Sequence, residues 1–356
     1  GYLAIPGVEI EDWYDSGQCK DCFIPSFNYR PAGSGQYALS ITNFEQEKPK
    51  RFRFGFIASS DNHRARPGTG YKEKDRFVTT EANGPSSEAI AEVLYPKSFP
   101  DSKSIDFGGR EGLIDMGFRA FEVERQASFF TSGGLAAVHS SGRDRQSIWD
   151  SMIRKETYGT SGDRILLWFD LVDGEERIPM GGEISTTENP KFIVKAIGSL
   201  KQKPGCPDYS DTKITGEDIA RICKNECYNP SDERKIITRI EVIKISPQIN
   251  PGEKVDNLIE DPWKVIDCPL DQNGCEISFE DTSYSENQRD VSFYVRAIQE
   301  PSPSVNAKNI RCEYNEKGEC IKVNMCYGDN RTAKDDDCLS MIEERAWSSP
   351  IYVDYL

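Results

Sequence analysis

The sequence predicts an α/β part followed by an all-β part stapled by disulfides, and three observations carry that expectation. Up to about Gly174, strand-like and helix-like segments alternate. Beyond it, the apolar segments are short and rich in β-branched and aromatic residues. Most of the eleven cysteines fall in the polar loops between those later segments. The two parts are placed at residues 1–175 and 176–356, with a cluster of Gly174, Gly181, Gly182 and Pro190 at the junction.

In the first part, Arg51 to Ser60 (RFRFGFIASS) reads as a strand entering a buried sheet, ending in small residues. Ser86 to Leu94 suits a short helix. Gly133 to His139 (GGLAAVH) reads as a second buried strand. Arg143 to Glu156 predicts an amphipathic helix, with Ile148 and Met152 one turn apart and Trp149 and Ile153 widening the stripe. Arg164 to Leu171 is the next strand, and this order is an α/β pattern. In the second part, Lys191 to Leu200, Ile236 to Ile245, Val291 to Gln299 and Ala346 to Tyr355 are strands. Alternation is clearest at Val291, Phe293, Val295 and Ala297. Long polar loops between such strands point to a β-sandwich.

A net charge of −15 argues against nucleic acid as a partner, because no broad basic surface is available to neutralise phosphates. A small anionic substrate stays open, since a bound metal or a few arginines can set the field inside a cleft. No run approaches the ~20 apolar residues of a membrane span. Gly1 to Ile10 lacks the layout of a signal peptide and an initiator methionine, which reads as a processed or truncated product. Cys223 and Cys227, Cys268 and Cys275, Cys312 and Cys320, and Cys326 and Cys338 lie near one another; Cys206 has no close neighbour. Zinc knuckles would need a second C-x-x-C beside Cys19 and Cys22, or nearby histidines, so disulfides are the better account. They imply an extracytoplasmic compartment, periplasmic or secreted.

Chemistry centres on the two histidines. Asp61 and His63 stand two apart after a strand, where a carboxylate and an imidazole point to the same side and can converge on one metal. The plain alternative is a loop aspartate with an exposed histidine. His139 ends the second strand before a helix, placed as a catalytic acid, a ligand or a substrate contact; the alternative is a structural ring bonded to a backbone carbonyl. Arg64, Arg66 and Lys72 follow in a Gly/Pro loop able to clamp an anionic substrate, or simply solvated. Thr157 to Arg164 reads as a turn whose Asp163–Arg164 pair fixes the following strand.

FGFIASSDNHRARPGTGYKE (Phe54 to Glu73) resembles the last motif of the polymerase and histidinol phosphatase (PHP) superfamily, a small-small-Asp-x-His segment. More narrowly, that stretch, Ser132 to His139 with its helix, and Glu156 to Ile165 (ETYGTSGDRI) resemble the family known as domain of unknown function 3604. Arg345 to Ile351 (RAWSSPI) is similar to that family's C-terminus. The resemblance implies the C-terminal part of a distorted PHP-type β/α barrel ahead of the sandwich, with Asp61 and His63 as metal ligands. It also implies two or three divalent metal ions (zinc, manganese or iron) in the complete site, activating water against a phosphoester or related ester. The superfamily's earlier H-x-H motif has no counterpart here. The expectation is therefore part of a metal-dependent hydrolase, completed by an N-terminal segment or second chain. The alternative is a secreted structural or binding protein on the same scaffold without catalysis.

Overall fold

The computed structural model describes residues 3–4, 34–58, 89, 103–104, 134–209, 212–305, 312–317, 320–323, 333, 335–337 and 339–356. Within these, helix α1 spans Gly35–Ser40, strand β1 Leu135–Val138 and helix α2 Arg145–Ile153. Then come β2 (Thr157–Thr160), β3 (Leu166–Asp173), β4 (Glu176–Pro179), β5 (Glu183–Thr186) and β6 (Lys191–Ile197). Further on are β7 (Ile237–Ile245), β8 (Ile259–Asp267), β9 (Cys275–Glu280), β10 (Val291–Val305), β11 (Leu339–Ser348) and β12 (Ile351–Tyr355).

These strands form two main sheets. The smaller runs β9-β6-β3-β4; the larger runs β8-β7-β10-β11-β2-β1, with β12 pairing both β10 and β5. Side chains alternate so that one face of each sheet meets the other. Leu167, Phe169 and Leu171 of β3 and Phe192, Val194 and Ala196 of β6 share one core with Ile240 and Val242 of β7, Phe293, Val295 and Ala297 of β10, and Ile351 and Val353 of β12. The Phe192 and Phe293 rings meet at 4.9 Å. Each of the buried valine, leucine, isoleucine and phenylalanine side chains stabilises the fold by roughly 1.5–3 kcal/mol.

The described residues do not form the expected β/α barrel. They make open, mostly antiparallel sheets with few helices. The reason lies in how α2 returns the chain. A barrel unit needs the strands flanking a helix to run parallel, but β1 and β2 pair antiparallel, with Val138 opposite Thr157 and Leu135 opposite Thr160. β3, read as the next strand of an α/β pattern, instead joins the smaller sheet antiparallel to β6, with Phe169 opposite Val194. Strand–helix–strand order in a sequence does not reveal this choice.

Two further readings change. Among the described residues, 52–58 pair with no strand; only Lys50–Arg51 does, with Thr42–Asn43. The helix over α2 forms, with Asp144 accepting from the Ser147 backbone at 3.0 Å, but Trp149, Met152 and Ile153 are exposed. Cys206 bonds Cys227 and Cys268 bonds Cys275, which leaves the Cys223 thiol free. The Cys268–Cys275 bridge closes the passage from β8 in one sheet to β9 in the other. Among the described residues no helix is long and apolar enough to cross a membrane.

Candidate functional site

Asp61, His63, Arg64, Arg66 and Lys72 lie outside the described residues, as does the helix expected from Ser86 to Leu94 apart from Ala89. The structure does describe the segment leading to them. It crosses the outer face of the larger sheet, where Ile243, Ile245, Tyr294 and Tyr352 form a second apolar cluster with Leu39 of α1, joined by Phe54, Phe56, Ile259 and Trp347. The Phe56 ring meets Tyr294 edge-on at 5.3 Å.

With no strand partner, the backbone of this segment needs other hydrogen-bonding groups. The Tyr352 hydroxyl donates to the Phe54 carbonyl at 2.7 Å and accepts from the Phe54 N–H at 2.9 Å. The Phe56 N–H donates to Ser349 Oγ at 2.8 Å. Charge pairs reinforce the seat. Arg51 meets Asp290, and Arg53 reaches Asp354 and, at 2.8 Å, Glu183. Lys155 also binds Glu183 at 2.8 Å. The Arg53 and Lys155 cations each lie 5.3 Å from the Tyr352 ring centre. Burial works against the Glu183 carboxylate, but hydrogen bonds from Lys155 and Arg53 outweigh it and hold its pKa below the ordinary value. Ala58 then presses on β2 at Gly159, where an added Cβ would stand 2.3 Å from that of Ala58. Only glycine permits this approach.

His139 lies just past β1. Its N–H donates to Glu156 O at 2.9 Å, extending the β1–β2 ladder. Its Nε2–H donates to the Leu167 carbonyl at 2.7 Å, and the ring sits 5.5 Å from Tyr158 and 5.7 Å from Trp168. With Nε2 so engaged, Nδ1 is the nitrogen left to exchange a proton. Asp170 shares the outer face of β3 with Trp168, two residues away. Burial raises its pKa, and the charges of Arg177 and His139 partly oppose this. The residue types and the raised carboxyl suit proton transfer. Sequence reasoning passed over Asp170, although the alternation in LLWFDLVD places it on one face with Trp168.

Asp163 does not pair with Arg164. Its buried carboxylate takes Lys235 Nζ at 2.6 Å, Ser199 Oγ at 2.9 Å and Gln299 Nε2, tying together three stretches distant in sequence. The Arg164 guanidinium instead covers the Tyr228 ring at 3.9 Å. Among the described residues, no three His, Cys, Asp or Glu side chains converge as a metal site would require.

Residues 40–203 match a family described as "Protein of unknown function (DUF3604)". The match takes in the docked segment, His139, α2 and the first strands of both sheets, and it ends before Arg345 to Ile351. No curated protein and no solved structure matches the chain.

Proposed function

We propose that the chain is part of a metal-dependent hydrolase acting on a phosphoester or related ester, with Asp61 and His63 as metal ligands. The observation that supports it best is that the described segment shortly before Asp61-Asn62-His63 in the sequence is fixed at Arg51, Arg53, Phe54, Phe56 and Ala58. Binding sites are precise when the backbone supplying them is held rigidly.

A carboxylate and an imidazole are donors that suit zinc, manganese or iron. They do not by themselves fit two or three ions, and the chain's two histidines cannot make up the difference. An N-terminal segment or second chain would supply the remaining ligands. Bound there, such an ion acts as a Lewis acid and lowers the pKa of water. The chain's own groups have separate tasks in this reading. Arg64, Arg66 and Lys72 bind the anionic ester. His139 holds or releases a proton at Nδ1, with Asp170 setting the field beside it. The disulfides suit an extracytoplasmic protein, periplasmic or secreted.

Elemental analysis of the purified protein, with intact mass under denaturing conditions, tests this. Bound zinc, manganese or iron, lost in Asp61→Ala along with hydrolysis of p-nitrophenyl phosphate esters, is the expected result. The second reading is a binding protein without catalysis, favoured by the lack of converging ligands among the described residues and by the bond from His139 Nε2 to Leu167. Metal-free protein with no second chain would support that reading and overturn the first.

A further inference from the structure

We propose that Cys206, Cys223 and Cys227 form a thiol–disulfide exchange site, through which the arm they share holds either of two covalent forms. This site is separate from the metal-site reading above. The arm lies between two short paired strands, Leu200–Gln202 and Pro230–Arg234. The Cys206–Cys227 bridge closes its neck, and the Cys223 thiol lies four residues from the bridged Cys227. A helical turn, Ile219–Cys223, delivers that thiol, and the chain then reverses through Lys224 and Asn225 at φ of 53° and 61°. The Glu226 N–H donates to the Cys223 carbonyl at 2.9 Å and closes the reversal. A turn of this kind holds its end Cα atoms within about 7 Å, so Cys227, the next residue, stays close to Cys223. Three sulfurs thus share one loop.

Burial selects the nucleophile. Cys227 is 4% exposed, so a thiol from outside reaches its sulfur poorly, whereas Cys223 belongs to the same loop and is half-buried. In the exchange the Cys223 thiol gives its proton to water, and the thiolate attacks Cys227 Sγ. The Cys223–Cys227 bond forms as the Cys206–Cys227 bond breaks. The electron pair leaves with Cys206 Sγ, which then takes up a proton. Nothing is oxidised or reduced overall, so no further reagent is consumed. Hydrogen bonds hold the neck whichever sulfurs are joined. Lys203 N–H donates to the Asn229 carbonyl at 2.7 Å, Asn229 N–H to Gln202 Oε1 at 2.8 Å, and Asn229 Nδ2 to the Pro204 carbonyl at 3.0 Å. The bridge ties the two sides of the arm together in one form and lies within a single turn in the other. Tyr228, next to Cys227, carries the Arg164 guanidinium over its ring at 3.9 Å, so the exchanging sulfur sits beside the arm's contact with the turn before β3.

Peptide mapping reads the exchange directly. Lys213 lies between Cys206 and Cys223, and Lys224 between Cys223 and Cys227, so trypsin puts the three cysteines on separate peptides. The full chain, unreduced, is held in mildly alkaline buffer, quenched and unfolded in acid, and alkylated with N-ethylmaleimide. Label is expected to appear at Cys206, matched by an equal loss at Cys223 and by a peptide pair joining Cys223 to Cys227. Cys223→Ser should abolish the label at Cys206 and keep the Cys206–Cys227 bridge. Label confined to Cys223 after prolonged incubation would overturn the proposal, as would label at Cys206 that persists in Cys223→Ser. Label moving to Cys227 instead would overturn Cys227 as the sulfur attacked. Cys206→Ser, oxidised in air, gives an independent reading: a Cys223–Cys227 bridge is expected, and free thiols at both positions would contradict it.

Discussion

The space between the two sheets and the outer face of the larger sheet are both well covered, yet different forces hold them. Between the sheets, Phe169, Phe192, Phe279 and Phe293 pack with aliphatic side chains from at least five strands. That attraction is non-directional and scales with area. On the outer face, residues 52–58 are held by hydroxyl groups at Tyr352 and Ser349, by ion pairs at Arg51 and Arg53, and by one close approach at Gly159. These contacts are directional and few. The interior thus fixes the sheets, and the outer contacts fix the register of a single segment upon them.

Interior changes should therefore melt the whole domain. Phe192→Ala is expected to cost about 3–5 kcal/mol, read as a fall in the denaturant midpoint by every probe at once. A buried ion pair, Lys244 with Asp281 at 2.6 Å, behaves the same way although it is polar. Both groups are buried, so Asp281→Asn leaves a charge without its partner and is expected to cost about 3–5 kcal/mol. A smaller, local loss follows on the outer face. Tyr352→Phe should cost about 1–2 kcal/mol and appear chiefly as faster amide exchange over residues 52–58. Arg53→Gln comes last, at under about 1 kcal/mol, because its ion pairs are partly exposed; the loss should shrink as salt is added.

Acid sharpens the same contrast. Burial pushes the carboxyl groups of Glu183 and Asp281 upward, but hydrogen bonds from Lys155 and Arg53 and from Lys244 and Ser283, respectively, prevail and lower both pKa values. Groups lowered in the folded state lend stability above their ordinary values, 4.5 and 3.8, and that stability is lost as pH falls through the folded ones. Stability should be flat near neutral pH and decline below about 4.5. Glu183→Gln should remove only the outer-face share of that decline, seen as pH-dependent exchange over residues 52–58.

The strands that alternate, or that bury β-branched runs, were legible in the sequence. Lys191 to Ile197 and Ile237 to Ile245 fall within a few residues of the expected spans, and the inward set Val291, Phe293, Val295 and Ala297 is buried. Ala346 to Tyr355 proves to be the end of β11 followed by β12, with Ser349 and Pro350 between them. What stayed hidden depends on distant partners. A helix can return its chain parallel or antiparallel, and nothing local to α2 decides between them. Cys227 sits four residues from Cys223 yet bonds Cys206, because the fold and not sequence spacing brings sulfurs together. Nor did Arg51 to Ser60 announce that its backbone would be met by side chains from the end of the chain. Of the candidate site, His139 was visible as a residue type at a strand end. Asp170 was legible only as a residue on one face of β3 with Trp168; its closeness to His139 depends on the fold.

Amide exchange across residues 52–58, read beside β10 in the same protein, tests the central claim most directly. Slow exchange at Phe54 and Phe56, hastened at Phe54 by Tyr352→Phe with β10 unchanged, is the predicted result. Exchange at both amides as fast as in an unstructured peptide would contradict the claim that this segment is fixed on the sheet.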